Sequence, residues 1–80
     1  MTRDELNKNL CAIITTLDEV PFAPESSLYM AMGMDMSKWE TVKQVLVAGN
    51  LATFHGFAAY ITPIGHAMAA KINAAMATMR

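Results

Sequence analysis

From Gln44 to Ala70 the chain carries no Asp, Glu, Lys or Arg, and no other feature restricts its fold as strongly. A charge-free run of this length could cross a bilayer if it formed one helix. Gly49-Asn50, His55-Gly56, Thr62-Pro63 and Gly65 interrupt it. A spanning helix cannot carry that punctuation without partners for the backbone groups it frees. The sequence therefore predicts several short elements here and no membrane span.

The remaining composition bounds the rest. At 80 residues and 8.7 kDa there is surface for one core, spanning 1–80. Hydrophobic residues make up 54% and charged residues 16%, the reverse of the balance that keeps a chain disordered. Six Lys plus Arg against seven Asp plus Glu leave a net charge of −1, so there is no basic arm or acidic tail. Cys11 is the single cysteine and has no internal disulfide partner. The first residues lack the basic-then-apolar order of a signal peptide, and the expectation is a reducing, cytoplasmic setting.

Periodicity divides the chain into helix, helix, helix, two strands and helix. Leu6, Leu10, Ile13, Ile14 and Leu17 recur at steps of four, three, one and three and predict a helix over 3–18. Asp4 and Glu5 stand in its first turn, where they complement the helix dipole. Pro21 and Pro24 bracket a connector, and a second helix is predicted over 24–33, with Gly33 stopping it at positive φ. Ser37-Lys38-Trp39-Glu40 fits a capping box, so a third helix is predicted over 37–49, burying Trp39, Val42, Val45 and Leu46. Two apolar runs around His55-Gly56 predict a hairpin over 51–61, with histidine placed at the tip for its tolerance of positive φ. Thr62 then caps, and Pro63 opens, a last helix over 63–79.

This order resembles the winged helix-turn-helix superfamily. Met30-Ala31-Met32-Gly33 is similar to the end of the second helix in such domains. Val42, Val45, Leu46 and Gly49-Asn50-Leu51 look like the passage from the third helix into the wing. Tyr60-Ile61-Thr62-Pro63-Ile64-Gly65 is similar to the strand-to-helix junction of MarR-like and PadR-like bacterial or archaeal regulators. The resemblance covers roughly residues 5 to 75, and it lies in the order and spacing of motifs that are individually unspecific. It implies a mainly α fold with a short β-hairpin wing. It also implies binding of duplex DNA through the third helix, often by a homodimer, as in transcription regulation.

The residues answer that implication in part. Lys38, Thr41, Lys43 and Gln44 are types that contact phosphates and base edges, and Ser37 with the adjacent helix start is a place for a phosphate. Glu40 among them opposes binding, and the predicted wing tip has no Arg or Lys. Lys38 and Lys43 are equally well read as a solvated helix face. A winged helix that serves as a protein-interaction or assembly module without DNA binding is the alternative that a neutral surface favours.

Other chemistry-bearing residues have plainer readings. Met30, Met32, Met34 and Met36 alternate, the spacing that sets Cu(I)-binding thioethers on one side of a strand, but Gly33 and the capping box break any such strand and leave core packing. Cys11 beside the apolar stripe reads as a small buried hydrophobe, with only Lys8 near enough in sequence to activate a thiol. His55 and His66 match no zinc spacing and read as surface histidines. No nucleophile elbow, phosphate loop or paired carboxylate set is present, so neither catalysis nor a cofactor is expected.

The last helix presents two stripes. Ile64, Met68, Ile72, Met76 and Met79 are expected to dock it on its own domain. Ala67, Ala70, Ala74 and Ala77 form a second stripe of small residues that would admit a neighbouring helix, and a homodimer through this face is expected. The competing reason for those alanines is simply their high helix propensity.

Overall fold

The computed structural model describes residues 2–78. Helix α1, Arg3–Asp18, starts where the Thr2 hydroxyl accepts from the Glu5 backbone N–H at 3.2 Å. It buries Ile13, Ile14 and Leu17, with Leu6 and Leu10 half-buried alongside, so the expected stripe is the one used. Cys11 departs from expectation and is exposed. One residue on from Leu10 turns about 100° around the helix, which carries its thiol off the apolar face.

The chain continues through β1 (Ala23–Pro24), α2 (Glu25–Ala31), α3 (Met36–Ala48), β2 (Ala52–His55), β3 (Ala58–Ile61) and α4 (Pro63–Thr78). The architecture is thus mainly helical with a small antiparallel sheet of three strands, in the order β1-β3-β2. The segment read as a plain connector supplies β1, which pairs Ala23 with Ala59 and Pro24 with Ala58 of β3. Proline is tolerated there because the strand lies at a sheet edge. Just beyond it the Glu25 N–H donates to the Phe57 carbonyl at 2.7 Å, tying the hairpin tip to the start of α2.

Two predicted boundaries move. The capping box at Ser37 does not form; Asp35 is the cap, its carboxylate accepting from the Lys38 N–H at 2.9 Å and from the Ser37 hydroxyl at 3.2 Å. A carboxylate oxygen is the stronger acceptor for these donors, so the cap lies two residues before Ser37 and α3 begins at Met36. The hairpin turn also shifts by one residue. His55 pairs with Ala58 as the end of β2, and Gly56-Phe57 forms the two-residue loop, with Gly56 at φ 63°. Glycine in the first loop position meets the positive φ that such turns demand. At the end of α3, Gly49 stays right-handed and Asn50 takes φ 57° instead, while Gly33 has the positive φ predicted for it.

The core is centred on Trp39, which no solvent reaches, with Ile13, Leu17, Val42 and Leu46 equally enclosed. Trp39 lies between Tyr29 and Phe54, at ring-centre distances of 6.0 and 6.1 Å. Of the alternating methionines only Met34 is buried and Met32 half-buried; Met30 and Met36 face solvent, against the expectation that all four pack.

Helix α4 docks differently from its sequence stripe. Gly65 and Ala69 are its buried residues, and Ile72 packs against the core beside them. Ile64, Met68 and Met76 are substantially exposed, and Met79 lies outside the described residues. Small residues make the contact because the helix start comes very close to the hairpin. The Thr62 hydroxyl bonds the Asn50 and Leu51 carbonyls at 2.6 and 2.9 Å and accepts from the Gly65 N–H at 3.0 Å. The cap role expected of Thr62 is therefore observed. No helix among the described residues is long and apolar enough to cross a membrane.

Candidate nucleic-acid interface

Helix α3 divides sharply around its axis. Trp39, Val42 and Leu46 point into the core, and Ser37, Glu40, Thr41, Gln44, Val47 and Ala48 are exposed. The candidate residues Ser37, Thr41 and Gln44 therefore share the outward face, at spacings of four and three that stack them along it. Ser37 is a first-turn residue and not the cap, so its hydroxyl already donates to Asp35. Hydrogen bonds from the Lys38 N–H and the Ser37 hydroxyl hold the Asp35 carboxyl below its usual range. That places a fixed negative charge at the helix start, where a phosphate was expected. The outward face continues into a shallow hollow of about 330 Å³ lined by Glu40, Lys43, Gln44, Val47 and Ala48.

The two lysines do not sit on that face. Five residues apart, they lie about 140° from each other and flank the buried side. Each meets a glutamate from another helix. Lys38 Nζ is 3.4 Å from Glu5 Oε1 of α1, with both side chains more than two-fifths exposed. Lys43 Nζ is 2.9 Å from Glu25 Oε1 of α2 and lies 4.9 Å from the centre of the Phe54 ring. Glu25 also accepts from the Trp39 indole N–H at 2.7 Å, which makes one carboxylate the junction of α2, α3 and the core. Burial pushes the Glu25 carboxyl up, but the Trp39 and Lys43 bonds outweigh it and leave the group below its usual value. The Lys38 ammonium does the same for Glu5.

The sequence gives Glu5 a helix-dipole role only and does not single out Glu25. They stand 33 and 18 residues from their lysines, and no local spacing links them. Among the described residues, Glu40 makes no ion pair, so it is the one uncompensated charge on the outward face. The hairpin adds no cation, and its tip is the almost fully exposed Phe57.

On α4, Ala67, Ala70, Ala74 and Ala77 are all exposed on the side away from Gly65 and Ala69. His66 is exposed, and its Nδ1 contacts Asp18 Oδ1 at the end of α1, a partner the surface reading had not supplied. His55 is exposed beside Tyr60, ring to ring at 5.7 Å. Among the described residues there is no group of three His, Cys, Asp or Glu arranged to hold a metal. No protein-family model, curated protein or solved structure matches this chain.

Proposed function

We propose that the chain is a winged helix-turn-helix module that docks on duplex DNA through the outward face of α3, acting as a homodimeric transcription regulator. The observation that carries this reading is the uncovered α3 face, where Ser37, Thr41 and Gln44 stack in one exposed row that the core does not use. Uncharged hydrogen-bonding side chains on such a row suit base edges, and Gln44 is of the type that makes paired bonds to adenine. Lys38 and Lys43 flank it, as phosphate contacts flank a helix lying in a groove.

Magnitudes decide how far the glutamates weaken this reading. An exposed ion pair is worth about 0–1 kcal/mol, so exchanging the Glu5 carboxylate for a phosphate costs little. Charge still contributes modestly. Four lysines in a dimer give a salt slope no steeper than roughly −4. Lys38→Ala with Lys43→Ala is expected to weaken binding to every duplex sequence and flatten that slope, read by fluorescence anisotropy across a salt series. Gln44→Ala is expected to relax preference at one base position by about 1–3 kcal/mol.

Dimerisation is proposed through the alanine side of α4. Ala67, Ala70, Ala74 and Ala77 form an exposed row of small residues that lets a second helix approach closely. Ala70→Glu with Ala74→Glu puts carboxylates into that seam, and sedimentation is expected to show monomer where the parent chain is dimeric. A parent that is monomeric at high micromolar concentration contradicts the dimer.

A second reading has its own observation. Phe57 at the hairpin tip is 88% exposed, and Phe22 and Met36 are more than half exposed. Aromatic side chains held in water favour a protein partner. A folded dimer that fails to bind any duplex leaves the interaction or assembly module.

A further inference from the structure

We infer that Glu5 and Glu25 are affinity-setting residues that occupy the phosphate positions of α3, and that Glu25 keeps Lys43 out of the DNA interface while Lys38 remains free to exchange. The inference rests on the DNA reading above and assigns different roles to the two lysines.

The geometry of the two pairs is unequal. Lys38–Glu5 is long at 3.4 Å, and the side chains retain 42% and 45% exposure, so water already competes for both ends. Lys43–Glu25 is short at 2.9 Å, with 31% and 14% exposure, and water competes far less. The Phe54 ring lies under the Lys43 ammonium at 4.9 Å and supports it from a second side. Glu25 is itself held by the Trp39 indole N–H, so its carboxylate cannot swing away to release the lysine without breaking a bond at the core. Glu5 has no anchor in the core; besides Lys38, its carboxylate meets the Thr2 backbone at the exposed start of α1.

A carboxylate oxygen and a phosphate oxygen make the same kind of contact with an ammonium. A phosphate approaching Lys38 therefore replaces one exposed acceptor with another. A phosphate approaching Lys43 meets a fixed negative charge and a lysine already satisfied on two sides. The parent protein then draws on one lysine per protomer, and its salt slope is close to half of what two would give.

Anisotropy titrations of a mixed-sequence duplex, from 50 mM salt upward, test this with the folded dimer. Glu25→Gln keeps the side-chain shape and an acceptor for the Trp39 indole while removing the charge. It is expected to tighten binding about tenfold and to steepen the slope by roughly one unit per protomer. Glu5→Gln is expected to give about a threefold gain with little change of slope, because Lys38 already exchanges. Glu19→Gln makes the same change of net charge about 21 Å along α1 from Glu5 and is expected to give less than a twofold gain. Combining Glu25→Gln with Lys43→Ala should return affinity to that of Lys43→Ala alone.

The inference is overturned, with the DNA reading intact, if the parent binds and Glu25→Gln gains no more than Glu19→Gln. It is also overturned if Glu25→Gln gains equally with and without Lys43. Should Glu25→Gln fail to fold, a Lys43→Ala change that lowers affinity and slope in the parent overturns it, and one that lowers neither supports it. If the parent and both glutamine variants all leave the duplex unbound, the DNA reading and the inference fall together.

Discussion

Trp39→Ala is expected to destabilise the domain by about 3–5 kcal/mol, the range for emptying a fully buried large aromatic site. For 80 residues the whole stability is about 4–12 kcal/mol, so the variant sits at or near the unfolding threshold. The effect is large because α2 and β2 both meet on this one ring system of α3. Tyr29 of α2 and Phe54 of β2 pack on it, and Glu25 receives its N–H. Removing the indole also leaves Glu25, only 14% exposed, with Lys43 alone to satisfy it. Trp39→Phe separates the contributions. It refills most of the volume and still lacks the N–H, so it is expected to recover more than half of the loss. Urea unfolding followed by circular dichroism checks both; a loss below 1 kcal/mol for the alanine variant contradicts the placement of Trp39 at the core centre.

The second large effect is expected at Gly65. Alanine normally stabilises a helix interior by about 1 kcal/mol relative to glycine. Here a Cβ would lie 2.7 Å from Ile61 Cγ1 and still closer to the Leu51 carbonyl oxygen, which is backbone and held in place by Thr62. Overpacking against such a neighbour costs about 3 kcal/mol, so Gly65→Ala is expected to destabilise by a net 2 kcal/mol or so. The sign is the test. A raised melting temperature would mean that α4 does not approach the hairpin this closely.

Those two residues also mark what the sequence reveals and what it hides. Trp39 was legible because a helical stripe of Trp39, Val42 and Leu46 has one period and one buried side. The helices, their order and the Thr62 cap were legible for the same local reasons. Strand β1 was not, because two residues carry no period; it exists through pairing with Ala58 and Ala59, more than thirty positions away. The docking side of α4 was hidden because hydrophobicity points to Ile64 and Met68. Proximity to the hairpin instead selects Gly65 and Ala69, the residues small enough to fit. The start of α3 was misplaced: the spacing of Ser37 and Glu40 pointed to a capping box at Ser37, and Asp35, two residues before it and the stronger acceptor, is the cap.

The candidate site was legible in its polar row and not in its charge. Ser37, Thr41 and Gln44 face outward as helical spacing predicts. Lys38 and Lys43 read as available cations because their partners, Glu5 and Glu25, come from other helices. Side-chain type and spacing tell which residues share a face. Neutralisation across the fold depends on which helices meet, and periodicity is silent about that.

Binding of the folded protein to a fluorescent random-sequence duplex pool at 50 mM salt, repeated as salt is raised, tests the central claim most directly. The account predicts measurable binding that weakens with salt, with a slope no steeper than roughly −4 for a dimer and a loss when Lys38 is replaced by alanine. A folded chain that leaves the pool unbound at 50 mM salt contradicts it.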